Sequence, residues 1–184
     1  MTNPTSHRYP LPLEAQPLEI LQPLDPLGSM RIEPAVHGQR TYFDTFDWRL
    51  HAAGSLMVEE RTPDGRAQAC WRKLEDDRLL GLSVGEVPRF VRDLASRKLR
   101  EQLEPLIEMR ALLPVVQVSV VMHRVAVLNK QRKTVLRLVI EEGVAATPGE
   151  GSGQMLSPAL RLEPVRGYRK PLLQARSILE EKLH

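Results

Sequence analysis

Two stretches of the chain are strand-like, each with a short apolar run followed by polar residues. They are residues 55–61 and 67–73, and the Thr62-Pro63-Asp64-Gly65 sequence between them is a strong turn signal. We therefore predict a β-hairpin here. A further strand-like run, residues 40–45, precedes it.

A second hairpin is predicted farther along the chain. Residues 115–128 and 134–140 are dense in Val and Leu and are separated by the turn-like residues 129–132. Residues 160–165 alternate as one more strand. Strands this long suit a barrel or a strongly curved sheet.

The period changes to that of a helix over residues 87–110. Apolar residues recur there at intervals of three to five, with Pro88 in the expected first turn and Pro105 expected to bend or divide the helix. Residues 171–183 predict an amphipathic C-terminal helix. We expect an α+β, mainly β fold: an antiparallel, tunnel-like barrel with inserted helices and a C-terminal helix.

The remaining segments are predicted to be irregular. Seven prolines lie in the first 35 residues and exclude a long helix there, which leaves room for an edge strand and turns, and residues 1–7 are expected to be disordered. The Gly-rich residues 145–154 predict a flexible loop. No internal repeat or domain break is visible, so we expect a single domain over residues 1–184.

Composition excludes several classes of function. The chain has 42% hydrophobic and 27% charged residues and a net charge of +3, without an apolar run that could span a membrane or a basic run interleaved with aromatics. We expect a cytoplasmic protein that binds neither nucleic acid nor membrane.

The single cysteine, Cys70, predicts a thiol packed in a strand. The segment from His123 to Arg137 carries six basic residues before the first acid, Glu141, which would attract anions.

The run Tyr42-Phe43-Asp44-Thr45-Phe46-Asp47-Trp48-Arg49-Leu50, followed by Gly54 and a strand, resembles the signature of CYTH domains. CYTH domains, the triphosphate tunnel metalloenzymes, carry Tyr-Phe-Asp-Thr-Pro-Asp-x-x-Leu, a Gly and then Leu-Arg-x-Arg. The resemblance implies a tunnel whose inward side chains bind triphosphate through Lys and Arg and hold divalent cations through carboxylates. Within the run, we expect Asp44 to make local backbone hydrogen bonds, not to act as acid or base.

Most residues that the family uses for this chemistry are replaced. The Glu-x-Glu-x-Lys of its first strand has no counterpart near residues 8–14. By resemblance, its two arginines fall on Val58 and Glu60, with Arg61 pointing the other way, and its next lysine falls on Lys73. Its later basic and acidic positions fall on the following residues: Arg124, Arg137, Val139, Glu141, Arg161 and Glu163.

These replacements suggest that the lining has exchanged the signs of its charges. Glu60 stands where the family has Arg, whereas Arg137 and Arg161 stand where it has acids. Because an unpaired buried carboxylate is costly, we expect Glu60 to form a tunnel ion pair with Arg137 or Arg161.

The leading functional hypothesis is a degenerate, non-catalytic CYTH-like domain. It would bind an anion such as polyphosphate through Lys73, Arg124, Arg137 and Arg161, or act as a scaffold, with no cofactor. Residues 162–168, followed by Lys170, resemble CYTH domains that precede a CHAD domain, a helical module associated with polyphosphate, so a CHAD domain is an expected partner.

The alternative is a divergent triphosphatase that uses Mg²⁺ or Mn²⁺ held by Glu141 and Glu163, acting on inorganic, nucleoside or thiamine triphosphate. A nucleotidyl cyclase is a third, weaker alternative.

Overall fold

A computed structural model of the chain describes residues 7–14, 16, 19–149 and 153–182. The strands are β1 (His7–Pro10), β2 (Ser29–Ile32), β3 (Val36–Asp44), β4 (Ser55–Arg61), β5 (Ala67–Lys73), β6 (Leu79–Val84), β7 (Leu113–Leu128), β8 (Thr134–Ala146) and β9 (Gln154–Pro164). The α-helices are α1 (Arg49–Ala52), α2 (Arg97–Ile107) and α3 (Arg169–Lys182), and 3-10 turns span Glu19–Leu27 and Val91–Asp93. The chain forms two compact units, which are described separately.

The first unit contains residues 1–36, 121–143 and 156–184. Its strands lie in the order β1, β9, β8, β7, and β2 also pairs antiparallel with β7. Alternate residues of the long strands, such as Leu136, Leu138 and Leu160, point to one face and form its core with the apolar side of α3. The other face of these strands carries the polar side chains together with a few small buried apolar ones, such as Val139 and Ala126.

The second unit contains residues 37–120 and 144–155. Its strands lie in the order β7, β3, β4, β5, β6, and the β3–β4, β4–β5 and β5–β6 pairs are antiparallel. Met57 and Ala69 face a core built with the apolar side of α2, including Leu99 and Leu103. Neighbouring residues on the same strands therefore point away from α2.

The predicted fold class is confirmed: the described chain is mainly antiparallel β, with inserted helices and a C-terminal helix. The first hairpin has the predicted bounds, and the second is longer than predicted because β7 and β8 extend to Leu113 and Ala146. No helix of the described residues is long and apolar enough to cross a membrane.

The helix predicted over residues 87–110 is only partly correct. Helix α2 begins at Arg97, where the Ser96 side chain accepts a hydrogen bond from the backbone N–H of Leu99. Val87 and Val91 precede this cap, yet they are buried in the same core. Helix-like spacing of apolar residues can thus arise from an irregular segment, because it reports burial and not hydrogen bonding.

Three further predictions concern irregular segments. Strand β1 is the expected edge strand, since it ends the strand order beside β9. The predicted loop 145–154 is shorter, because β8 continues to Ala146 and β9 begins at Gln154. Residues 1–6 and 150–152, where disorder and flexibility were predicted, lie outside the described residues.

Candidate functional site

Most of the predicted site residues of the first unit share one face of its strands. Leu136 and Leu138 of β8 point to the core. The alternate residues Arg137, Val139 and Glu141 therefore point the opposite way. The same alternation holds elsewhere in this sheet, where it places Arg161 and Glu163 of β9 and Arg124 of β7 away from the core. We call this set the polar face: Arg124, Arg137, Val139, Glu141, Arg161 and Glu163.

Arg161 joins the two carboxylates that were predicted as metal ligands. Its Nη2 lies 3.3 Å from a carboxylate oxygen of Glu141 and 3.3 Å from one of Glu163. Glu141 is buried, with only 9% of its side chain exposed, whereas Glu163 is partly exposed. One guanidinium therefore supplies positive charge to both acids, in the place where a divalent cation would otherwise have to do so.

Two other arginines of the polar face lack such partners. Arg124 and Arg137 are exposed, and neither forms an ion pair with a carboxylate of the described residues. Both line a pocket of about 230 Å³ together with Glu33 and Glu163. Glu33 already contacts Arg31 at 4.0 Å, and Glu163 already contacts Arg161 at 3.3 Å. The pocket thus offers two uncompensated guanidinium groups that can donate hydrogen bonds to an anion.

The second unit carries a different set of charges around Glu60. The cross-strand register places Arg40 of β3 and Gln68 of β5 directly opposite Glu60 of β4. The Glu60 carboxylate lies 3.0 Å from Nη2 of Arg72 and 3.6 Å from Nε of Arg40. Arg72 also lies 3.5 Å from Asp77.

Glu60 therefore belongs to an ion-pair network, but the partners that the structure gives it are not the predicted ones. Arg40 and Arg72 come from the neighbouring strands and already neutralise its charge, so the reason for expecting Arg137 or Arg161 there no longer holds. Neither arginine was predicted, because the family motif names neither position. The strand register alone would have indicated Arg40, which is opposite Glu60.

Lys73 is separated from this network by the strand period. Lys73 is opposite Ser55 of β4, and Met57, which lies on the same face as Ser55, faces α2, so Lys73 is on the α2 side of the sheet. Arg72 and Glu60 lie on the other face. The Lys73 ammonium contacts Glu75. The prediction that Arg61 points away from Glu60 is confirmed, because Arg61 contacts Glu59 at 2.8 Å and Glu86 at 2.7 Å.

The signature run serves local structure, as predicted for Asp44. Its buried carboxylate accepts hydrogen bonds from three backbone N–H groups, those of Thr45 (2.7 Å), Leu50 (2.9 Å) and His51 (3.0 Å). These bonds fix the first turn of α1, where Trp48 has φ of 55°. Both oxygens of the Asp44 carboxylate are thus engaged by the backbone, Oδ1 by Thr45 and Leu50 and Oδ2 by His51.

Asp47 of the same run joins a surface network of four charges. Its carboxylate contacts Arg49 at 3.1 Å and Arg110 at 2.7 Å, and both arginines also contact Glu108. Hydrogen bonds from Arg49 and then Arg110 lower the pKa of Glu108. No local pattern in the sequence predicts this network, since Arg110 and Glu108 lie far from Asp47 in the chain.

Cys70 is the buried strand thiol that was predicted. Burial, followed by the negative charge of Glu60, raises its pKa, so the thiolate is disfavoured. Within residues 7–14, 16, 19–149 and 153–182, no three His, Cys, Asp or Glu side chains converge in a group that could hold a metal ion.

Comparison with known proteins gives a fold but no close relative. No protein-family model matches the chain, and no curated protein matches it. A solved structure of a proposed adenylate cyclase from Bacillus halodurans superposes with a TM-score of 0.61 at 12% identity, over 96% of this chain and 88% of that one. A proposed adenylyl cyclase from Hippeastrum, described as having a dominant triphosphatase activity, gives a TM-score of 0.52 at 14% identity, over 96% and 86%.

At these identities the likeness carries information about the fold alone. It agrees with the resemblance of residues 42–50 to the CYTH signature, and it covers almost the whole chain. The chain therefore has a CYTH-like fold.

Proposed function

We propose that the chain is a degenerate, non-catalytic CYTH-like module that binds a phosphate-rich anion such as polyphosphate. The contacts would come from Arg124 and Arg137 in the pocket of the first unit. The observation that carries the proposal is the position of Arg161, which contacts both Glu141 and Glu163.

The carboxylates do not fit a divalent-metal site as they are arranged. Mg²⁺ and Mn²⁺ prefer carboxylate and water oxygens in a nearly octahedral shell, with carboxylates free to coordinate. Here a metal ion would have to displace a guanidinium from both acids at once. No step of the proposed function therefore uses a metal.

The uncompensated arginines fit an anion better. A guanidinium presents its N–H donors in a planar fork that matches phosphate oxygens, and its charge does not depend on pH near neutrality. Arg161 would act indirectly, because its single positive charge offsets part of the negative charge of Glu141 and Glu163 and so lowers the repulsion that an incoming anion meets. Lys73, predicted as an anion contact, is not included, since Glu75 is its counter-ion.

Titration calorimetry with tripolyphosphate in the presence of a metal chelator tests the proposal. We expect binding without metal and a steep loss of affinity with rising salt. Arg124→Ala or Arg137→Ala should each weaken binding about tenfold, from the loss of one charge-assisted contact. Arg169→Ala, which removes the same charge from the exposed start of α3, is the matched control and should leave the affinity nearly unchanged.

A second candidate, a divergent triphosphatase, has one observation in its favour. Glu141 and Glu163 converge on a single point, and a structure of similar fold is described as having triphosphatase activity. If tripolyphosphate or ATP with Mn²⁺ released phosphate faster than a protein-free blank, and Glu141→Gln abolished the release, this candidate would replace the first. We expect release at the rate of the blank.

The CHAD partner remains a proposal from the resemblance of residues 162–168 and Lys170. Two proteins that bind one polyphosphate chain side by side would gain affinity from the shared ligand. The corresponding measurement is the affinity of a CHAD domain for this chain with and without polyphosphate.

A further inference from the structure

The segment that leads into α2 carries a dense positive charge. Residues 89–100 contain five basic residues and one acid, Asp93, while the whole chain has a net charge of only +3. A cluster of one sign on a surface attracts ions of the other sign. We call this cluster the basic patch, and it consists of the following side chains: Arg89, Arg92, Arg97, Lys98 and Arg100.

Two arginines of the basic patch are gathered around one aromatic ring. The Cζ atoms of Arg89 and Arg92 lie over the Phe90 ring, 5.6 and 4.7 Å from its centroid. Cation–π attraction holds both groups there although they repel each other. No carboxylate of the described residues pairs with Arg89, and Arg92 reaches Asp93 at 4.0 Å while both side chains are largely exposed. An exposed pair of this length compensates little of the charge.

The other three cations lie in the first turn of α2, where positive charge is unfavourable. This turn contains no acid, although the helix dipole favours acids there. Arg97 contacts Glu101 at 2.7 Å, but both side chains are exposed, so the pair contributes little. Lys98 is exposed and has no ion-pair partner within the described part of the chain. Arg100 contacts the carbonyl of Leu94 and so ties this turn to the 3-10 turn that precedes it.

Packing does not explain why the cations stand so close together. The core of the second unit is formed by apolar residues of the same segment, among them Val91, Leu94 and Leu99. The basic side chains lie between them in the sequence and, apart from Arg100, are exposed. Their mutual repulsion and the helix dipole both oppose this arrangement in the free protein. A bound polyanion would remove both penalties.

We propose that the basic patch is a second anion-binding site, which takes a linear inorganic polyphosphate. Each unit of such a chain carries negative charge, which suits closely spaced cations, and its oxygens match the forked donors of arginine. The Phe90 ring already has two guanidinium groups over it, so it is a poor platform for stacking a nucleic-acid base. The choice of polyphosphate as ligand rests on the proposed function, whereas the existence of the site does not.

Titration calorimetry with long-chain polyphosphate and a metal chelator tests the site. The double variant Arg124→Ala with Arg137→Ala, which disables the pocket of the first unit, should still bind the polymer. In that background, Arg92→Ala with Lys98→Ala should weaken binding about tenfold or more, because two charge-assisted contacts are lost. Rising salt should weaken the remaining binding steeply.

A matched control separates the patch from the overall charge of the chain. Arg66→Ala with Arg78→Ala removes the same charge from two exposed arginines of the second unit and should leave the affinity for the polymer nearly unchanged. The patch variant Arg92→Ala with Lys98→Ala should keep its thermal midpoint, since its side chains are exposed, which shows that lost binding is not lost folding. In the otherwise unchanged chain it should also keep the affinity for tripolyphosphate in the pocket.

Two results would overturn the site. One is a pocket variant that no longer binds the polymer, and the other is a patch variant that binds it as tightly as the control does. A uridine oligonucleotide of equal charge that bound as tightly as polyphosphate would overturn the choice of ligand. If tripolyphosphate did not bind the unchanged chain but the polymer did, the proposed pocket would fail and the basic patch would stand.

Discussion

Removing Arg161 should destabilise the first unit, because the loss leaves Glu141 with less counter-charge in a buried place. Glu141 is 9% exposed and lies 3.3 Å from the guanidinium, whereas Glu163, at the same distance, is partly exposed. Breaking a fully buried pair costs about 3–5 kcal/mol, and an exposed pair about 0.2–1 kcal/mol. Since Arg161 itself is 23% exposed, we expect Arg161→Met to lower the free energy of unfolding by about 2 kcal/mol.

Urea unfolding followed by circular dichroism measures this difference, with the slope against urea checked for constancy. The double variant Arg161→Met with Glu141→Met should recover part of the loss, since it removes the buried charge as well. Arg97→Met, which breaks the exposed pair with Glu101 on α2, is the control and should cost about 0.5 kcal/mol or less.

If Arg161→Met cost no more than Arg97→Met, Arg161 would not be holding the two carboxylates. Glu141 and Glu163 would then be available as ligands, and the divergent triphosphatase would become the better interpretation.

Three further outcomes are expected. Asp44→Ala should lower the free energy of unfolding by about 3 kcal/mol in urea unfolding, because three backbone N–H groups lose a charged acceptor, and Asp44→Asn should cost less because its oxygen still accepts. Hydrogen bonds from Arg49 lower the folded-state pKa of Glu108. The stability that ionised Glu108 contributes should therefore be complete above its unfolded-state pKa and be lost as the pH falls through its folded-state pKa. Glu108→Gln should flatten that part of the curve of unfolding free energy against pH. Gly81→Ala should lower the thermal midpoint, since an added Cβ would meet the buried Leu99 side chain at 2.6 Å. In the control variant Gly65→Ala, the added Cβ would meet no atom within 4 Å. Gly65 has a φ of 81°, so any fall in the thermal midpoint of that variant should come from backbone strain alone.

The sequence determined much of the fold because hydrophobic period and turn residues act locally. The hairpin of β4 and β5 ends at the predicted residues, since Thr62-Pro63-Asp64-Gly65 can hardly adopt anything but a turn. The role of Asp44 was predictable for the same reason, as its hydrogen bonds reach no farther than His51. Strand β6 was missed because Gly81 weakens its signal, although the missing side chain is what lets Leu99 of α2 approach.

The ion pairs were decided by the tertiary structure. The resemblance assigned Arg137, Glu141 and Arg161 to the inward positions of their strands, and the period of two puts Arg137 and Glu141 on one face of β8, but neither could tell which charges meet. Glu60 pairs with Arg40 and Arg72 because strand register brings residues 20 and 12 positions away within about 4 Å. A charge on a strand finds its partner across the sheet, and cross-strand order is a property of the whole chain that no local pattern contains.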